Sequence, residues 1–165
     1  MTTVSEKERF RDAFRKEHAT TLKIMNAFPP SEGAFQPHPK SGSPVHLMWT
    51  FVMEQQMMAA ALDGTMRMPP SFEPPPETIG EIIPIYEEGA RKVEKALAEA
   101  PESRLSENVQ FFTGPKAIGD VPVREVLWLF LMDSIHHRGQ LSVYVRMKDG
   151  RVPSIYGPSL DEPWM

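Results

Sequence analysis

Residues 120–150 read DVPVREVLWLFLMDSIHHRGQLSVYVRMKDG, and this stretch decides the fold class. Val126, Leu129, Phe130, Leu141, Tyr144 and Val145 recur at the three- and four-residue spacing that lines one side of an α-helix. Asp120 is placed to cap the N-terminus, Pro122 suits a first turn, and Gly150 follows Asp149 as a stop. One long amphipathic helix from Asp120 to Asp149 is expected. Its longest apolar run, Val126 to Met132, is far short of the roughly 20 residues that span a bilayer.

Working outward, three further segments carry the same period. Ser5 to Phe28 places Phe10, Phe14, Leu22, Met25 and Phe28 on one side. Val45 to Leu62 follows Ser43 as N-cap and Pro44 as first helical residue, and Gly64 supplies its stop. Thr78 to Ala100 carries Ile82, Ile85, Tyr86, Val93 and Leu97, with Pro84 expected to kink it or mark a late start. Proline is abundant, 17 of 165 residues against a usual share of about 5%, and it clusters between these segments as punctuation. The pattern predicts an all-α four-helix bundle with long connections, one domain over residues 1–165. The linkers 29–43 and 101–119 exceed the usual 2–8 residues between bundle helices and are expected to cross an end of the bundle or cover a pocket. Val109–Phe112 and Val152–Tyr156 are short strand-like patches.

Composition excludes several functions. Eighteen Lys and Arg against 22 Asp and Glu give a net charge of −4, which argues against a nucleic-acid partner. There is no cysteine, so disulfides, thiolate metal ligands and a cysteine nucleophile are ruled out. The polar stretch Met1–Arg15 lacks the apolar segment of a secretory signal, and the expected location is cytoplasmic with no membrane contact.

Asp133 and His137 stack one turn apart and interrupt the apolar stripe of the last helix. An ionised Asp there needs a partner or a cation. Either His137 or His136 satisfies it locally, or the pair belongs to a metal site completed from a facing helix. His46 in the first turn of the second helix offers a third ligand. Two imidazoles and a carboxylate match open zinc and non-haem iron sites. Glu54, two turns beyond His46, is a candidate general base, with a solvated or ion-paired residue as its alternative; Tyr144 is a candidate pocket residue. His18 and His38 read as surface residues, and His136 points about 100° away from His137. Gly139 inside a helix suggests close approach of another backbone, and Arg138 is placed to tie down the returning 152–159 segment through its carbonyls.

The string His136-His137-Arg138-Gly139-Gln140-Leu141, with Tyr144, Arg146 and then VPSIYGPS at residues 152–159, resembles the C-terminal signature of the DinB/YfiT-like family of four-helix-bundle metalloenzymes. The resemblance implies a three-histidine metal site, one histidine from the second helix and an H-x-x-x-H pair from the last. Its positions map to His46, Asp133 and His137, with Asp133 standing where the family has histidine. The implied cofactor is a divalent transition metal such as zinc, nickel or iron. The implied activity is a thiol-dependent S-transferase or isomerase acting on a small-molecule substrate, with a low-molecular-weight thiol such as bacillithiol or mycothiol as cosubstrate. The missing cysteines fit a thiol that arrives from outside. Homodimerisation is a further implication of the resemblance. The alternatives are hydrolysis by water activated at the metal, and a non-catalytic bundle that binds a small ligand or dimerises.

Overall fold

The computed structural model describes residues 4–165; the first three residues of the polar stretch Met1–Arg15 lie outside it. Four helices dominate: α1 (Glu6–Ala27), α2 (Pro44–Asp63), α3 (Ile79–Glu99) and α4 (Val123–Met147). The caps explain where they begin and end. Ser5 and Glu8 form a reciprocal capping box on α1, and on α3 the Glu81 carboxylate accepts from both the amide and the hydroxyl of Thr78. The Ser43 side chain accepts from the His46 amide, Pro44 occupies the first turn, and Gly64 ends α2 with a φ of 84° that a side chain would disfavour.

Helices α1 and α2 each pack against both α3 and α4, so the chain forms a ring in which α1 faces α2, and α3 faces α4, across a diagonal. That arrangement accounts for the long linkers, because two of the three connections must cross an end of the bundle. Two apolar clusters fill the interior. One joins Phe10, Phe14, Met58, Val93 and Leu127; the other joins Met25, Phe51, Ile82, Leu141 and Val145. Among the described residues no helix is long and apolar enough to cross a membrane.

Several expectations are corrected. The last helix starts at Val123, three residues after Asp120, because Asp120 belongs to a β-hairpin. Strand β1 (Asn108–Gly114) pairs antiparallel with β2 (Ala117–Pro122), so the patch at Val109–Phe112 is a strand while Val152–Tyr156 is not. Helix α3 starts at Ile79 and continues through Pro84, which deprives only the Gly80 carbonyl of an intrahelical donor. Leu129 is 47% exposed rather than inward, and it heads a line of exposed apolar residues on α4 with Met132, Val143 and Met147. Gly139 has no heavy atom within 4 Å of where a Cβ would sit, so close backbone approach is not its reason. Gly150 is the tight position: a Cβ there would lie 2.7 Å from Val145 and 3.0 Å from the Ala27 carbonyl.

Candidate metal centre

Helix α2 is apolar on nearly every side, and Glu54 is the one Asp, Glu, Lys or Arg between Pro44 and Leu62. It is buried at 3% exposure and faces α4. There the Ser134 hydroxyl donates to Glu54 Oε2, while Oε1 has no hydrogen-bond partner. Asp133 and His137 project beside it from α4, and one ligand atom from each of the three residues lies within 4.8 Å of the others. Burial pushes the Glu54 carboxyl up to about 9; Ser134 pulls it back and the neighbouring Asp133 adds to the rise. A buried acid with an orphaned oxygen, beside a second carboxylate, is poorly compensated unless a proton or a cation joins the group.

His137 is oriented for the same purpose. Its Nδ1 lies 3.4 Å from Gln140 Oε1, and Gln140 Nε2 lies 2.9 Å from His136 Nε2. An Nδ1–H donated to Gln140 leaves the lone pair on Nε2, which faces Asp133 Oδ1 at 3.5 Å. A lone pair facing a carboxylate oxygen at that distance leaves a place for a cation. Two carboxylates and one imidazole fit a divalent ion by charge and donor type.

The structure brings together Asp133, His137 and Glu54, and leaves the other two candidates elsewhere. His46 is exposed in the first turn of α2, its Nδ1 2.9 Å from the Ser43 hydroxyl, about 12 Å along the helix from Glu54. It helps cap the helix and is not in the cluster. Tyr144 lies two turns beyond His137, packs edge-on against Phe35 and donates to the Gly42 carbonyl at 3.3 Å, closing the linker that crosses the end of the bundle. Glu54, expected as a base or a solvated residue, takes the α2 place assigned to His46. Its isolation as the one charged residue between Pro44 and Leu62 is a signal that could have marked it, but the spacing from His46 alone does not. His18 is half-buried rather than fully exposed: it stacks on Tyr86 with centroids 4.6 Å apart, and desolvation lowers its pKa.

The cluster opens into a pocket of about 410 Å³ between α2 and α4, roofed by the hairpin and by the proline-rich segment after α2. Phe111 and Phe112 come from the hairpin, Phe130 from α4, and Phe72 from the segment that Trp49 Nε1 holds by donating to the Glu73 carbonyl at 3.0 Å. The 101–119 connection therefore does cover a pocket. Nothing in its spacing identified those phenylalanines as wall residues. On the far side of Asp133 and Leu129 lies a groove with Arg124, Trp128 and His136 on its walls.

Directly after His137 on α4, Arg138 is 1% exposed and forms an ion pair of 2.7 Å with Glu17 of α1. The Tyr156 hydroxyl accepts from Arg138 and donates to Glu17 at 2.7 Å, and the Arg138 guanidinium lies 5.2 Å from the Tyr156 ring centre. Arg138 thus anchors the returning C-terminal segment through the Tyr156 hydroxyl and ring, and the expected carbonyl contacts are not what holds it.

Fold and site together define a four-helix bundle with a carboxylate–carboxylate–histidine cluster between its second and fourth helices. The family model of the DinB superfamily matches residues 13–141, and the chain belongs to that superfamily. The uncharacterized protein YrdA of Bacillus subtilis is 24% identical over 157 residues, covering 94% of this chain and 90% of YrdA. The fold is shared with the DinB-like protein YjoA of B. subtilis, with a TM-score of 0.69, 18% identity, and coverage of 95% of this chain and 99% of that one. A DinB-like protein of Bacillus cereus gives a TM-score of 0.74 at 20% identity, covering 89% of this chain and 95% of that one.

Proposed function

We propose that this chain is a metal-dependent enzyme that joins a low-molecular-weight thiol to an electrophilic small molecule. The observation that carries the reading is the unpartnered, buried Glu54 oxygen beside Asp133 and His137 at the mouth of an apolar pocket. Glu54, Asp133 and His137 would hold a divalent ion. Two carboxylates move the donor set away from nickel and zinc and toward the metals that accept oxygen ligands readily, iron and manganese among them. Such an ion, when bound, favours the thiolate form of a neighbouring thiol.

The remaining work falls to the protein. Ser134 orients the Glu54 carboxylate through its hydroxyl. Gln140 selects the His137 tautomer, and His136 steadies Gln140 from the exposed side of α4. The phenylalanine walls make the side of the site facing the pocket apolar, which lowers the local dielectric beside the charged groups. Asp133 lies half-exposed between the pocket and the outer groove, so the ion it would help hold is reached from both sides.

The test is thiol conjugation. Protein loaded with iron, manganese or zinc is expected to accelerate the reaction of a small thiol with a chromogenic aryl halide, and Asp133→Ala to reduce that rate about 10²-fold or more. Ester turnover without thiol consumption would point to hydrolysis instead. Turnover unchanged by chelation and by Asp133→Ala would contradict the proposal.

A further inference from the structure

Nothing within the chain explains Gly139. Glycine weakens a helix interior relative to alanine, yet this one stands in the middle of α4. It is exposed, and no heavy atom lies within 4 Å of where a Cβ would sit. Large apolar side chains flank it on the same side of the helix: Leu129, Met132 at 63% exposure, Val143 at 56%, and Met147. Leu129, Met132, His136, Gly139, Val143 and Arg146 are all exposed, and they follow the alternating three- and four-residue spacing of a seam that packs against another helix. The other sides of α4 are already covered by α1 and α2. A glycine in such a seam leaves a hole that a bulky side chain of a facing helix fills.

The seam is complementary to itself when reversed. Antiparallel pairing sets Met132 against Val143 of a second copy and His136 against its Gly139, so each bulkier side chain meets a smaller residue. The two-fold axis repeats both contacts. The charges agree with this direction. Glu125 stands at the N-terminal end of the seam and Arg146 at the C-terminal end, both with exposed side chains. Antiparallel pairing brings these opposite signs within a turn of each other, whereas parallel pairing would set like charges side by side. We infer that two copies of this chain pair through α4, antiparallel about a two-fold axis, with Gly139 of each receiving His136 of the other. Leu129 lies on the rim of the pocket beside Glu54, and the second copy lays Arg146 and Met147 over it, so the partner completes that rim. The pairing stands on the surface of α4 and is independent of the metal centre and of the thiol reaction.

The experiment is sedimentation velocity on the full-length protein over a concentration series. A dimer is expected at about 10 μM and above. Val143→Glu places a charge in the seam of both copies and should weaken pairing at least about tenfold. Ile85→Glu, at an exposed apolar position on the diagonally opposite α3, should leave pairing unchanged. Gly139→Leu should also weaken pairing, although leucine is the better helix former, and should raise the melting temperature of the dilute, monomeric protein. Those opposite directions separate a filled hole from a folding defect. Disulfide crosslinking reads the register, because the chain has no cysteine of its own. A mixture of Met132→Cys and Val143→Cys proteins should form a mixed disulfide. Neither protein alone should crosslink, since like positions lie about 16 Å apart along the antiparallel pair. A monomer at every concentration, a dimer indifferent to Val143→Glu and Gly139→Leu, or Val143→Cys protein that crosslinks to itself would overturn the inference.

Discussion

Arg138→Ala is expected to lower the unfolding free energy by about 3–5 kcal/mol, because it leaves the Glu17 carboxylate buried without its partner. Glu17 is 9% exposed, and its neighbours in the structure are the Arg138 guanidinium and the Tyr156 hydroxyl. For a chain of this length each kcal/mol is worth roughly 2–4 °C in Tm, so the loss is visible in a simple melt. The magnitude comes from uncompensated charge, not from the pair's own attraction, and a second variant separates the two. Arg138→Met combined with Glu17→Met removes both charges and should recover most of the lost stability, since apolar replacements of a buried ion pair are often neutral or stabilising. Tyr156→Phe should cost less, about 1–2 kcal/mol, because it removes one hydroxyl and leaves the ion pair in place. A change below about 1 kcal/mol for Arg138→Ala would mean that water reaches the pair. Chemical denaturation followed by circular dichroism reads all three variants.

Glu54 supplies the second large effect, and its sign runs opposite to that of most carboxylates. Its folded pKa is raised from 4.5 to about 9, first by burial, against the pull of the Ser134 hydroxyl and with the help of Asp133. The folded, metal-free protein therefore keeps a proton that the unfolded chain releases near its ordinary value. Stability from this group is fully present below the unfolded pKa and is lost as pH rises toward the folded one. Between pH 7 and pH 9 the metal-free protein should lose about 2 kcal/mol. That window also lies above the range in which His18 titrates, its pKa being lowered by desolvation. Glu54→Gln keeps the shape, cannot ionise, and should abolish that slope. A divalent cation should reverse it, because the deprotonated carboxyl is the ligand form and binding then improves with pH. Melts of wild type and Glu54→Gln across this range, with and without chelator, check the prediction; parallel slopes would place the Glu54 carboxyl in contact with water.

The helices were legible because their signals are local. Ser43, Pro44 and Gly64 bracket α2 within a residue, and the apolar period fixes the inward side of α1 and α3. The start of α4 was misplaced because Asp120 is a good N-cap by type but pairs across the hairpin with Gln110, a contact set ten residues away. The pair Asp133 and His137 was readable from its spacing. Its partner on α2 was not, for a physical reason: α2 is buried around almost its whole circumference, with Val45, Met48, Phe51, Glu54, Met58 and Leu62 all buried, so no amphipathic side says which residue faces α4. Family likeness pointed to His46, and only the rotation of the helix in the folded bundle brings Glu54 to α4 instead. The pocket walls were equally beyond local reading, because Phe72, Phe111 and Phe130 meet only through the fold of two connections over one helix pair.

The most direct test is an element-resolved anomalous difference map from crystals grown with manganese, iron or zinc, recorded at the absorption edge of each metal. One site per chain is expected, ligated by Glu54, Asp133 and His137, with His46 outside its coordination sphere. A map with no peak at these three residues, or with the metal held by His46, would contradict it.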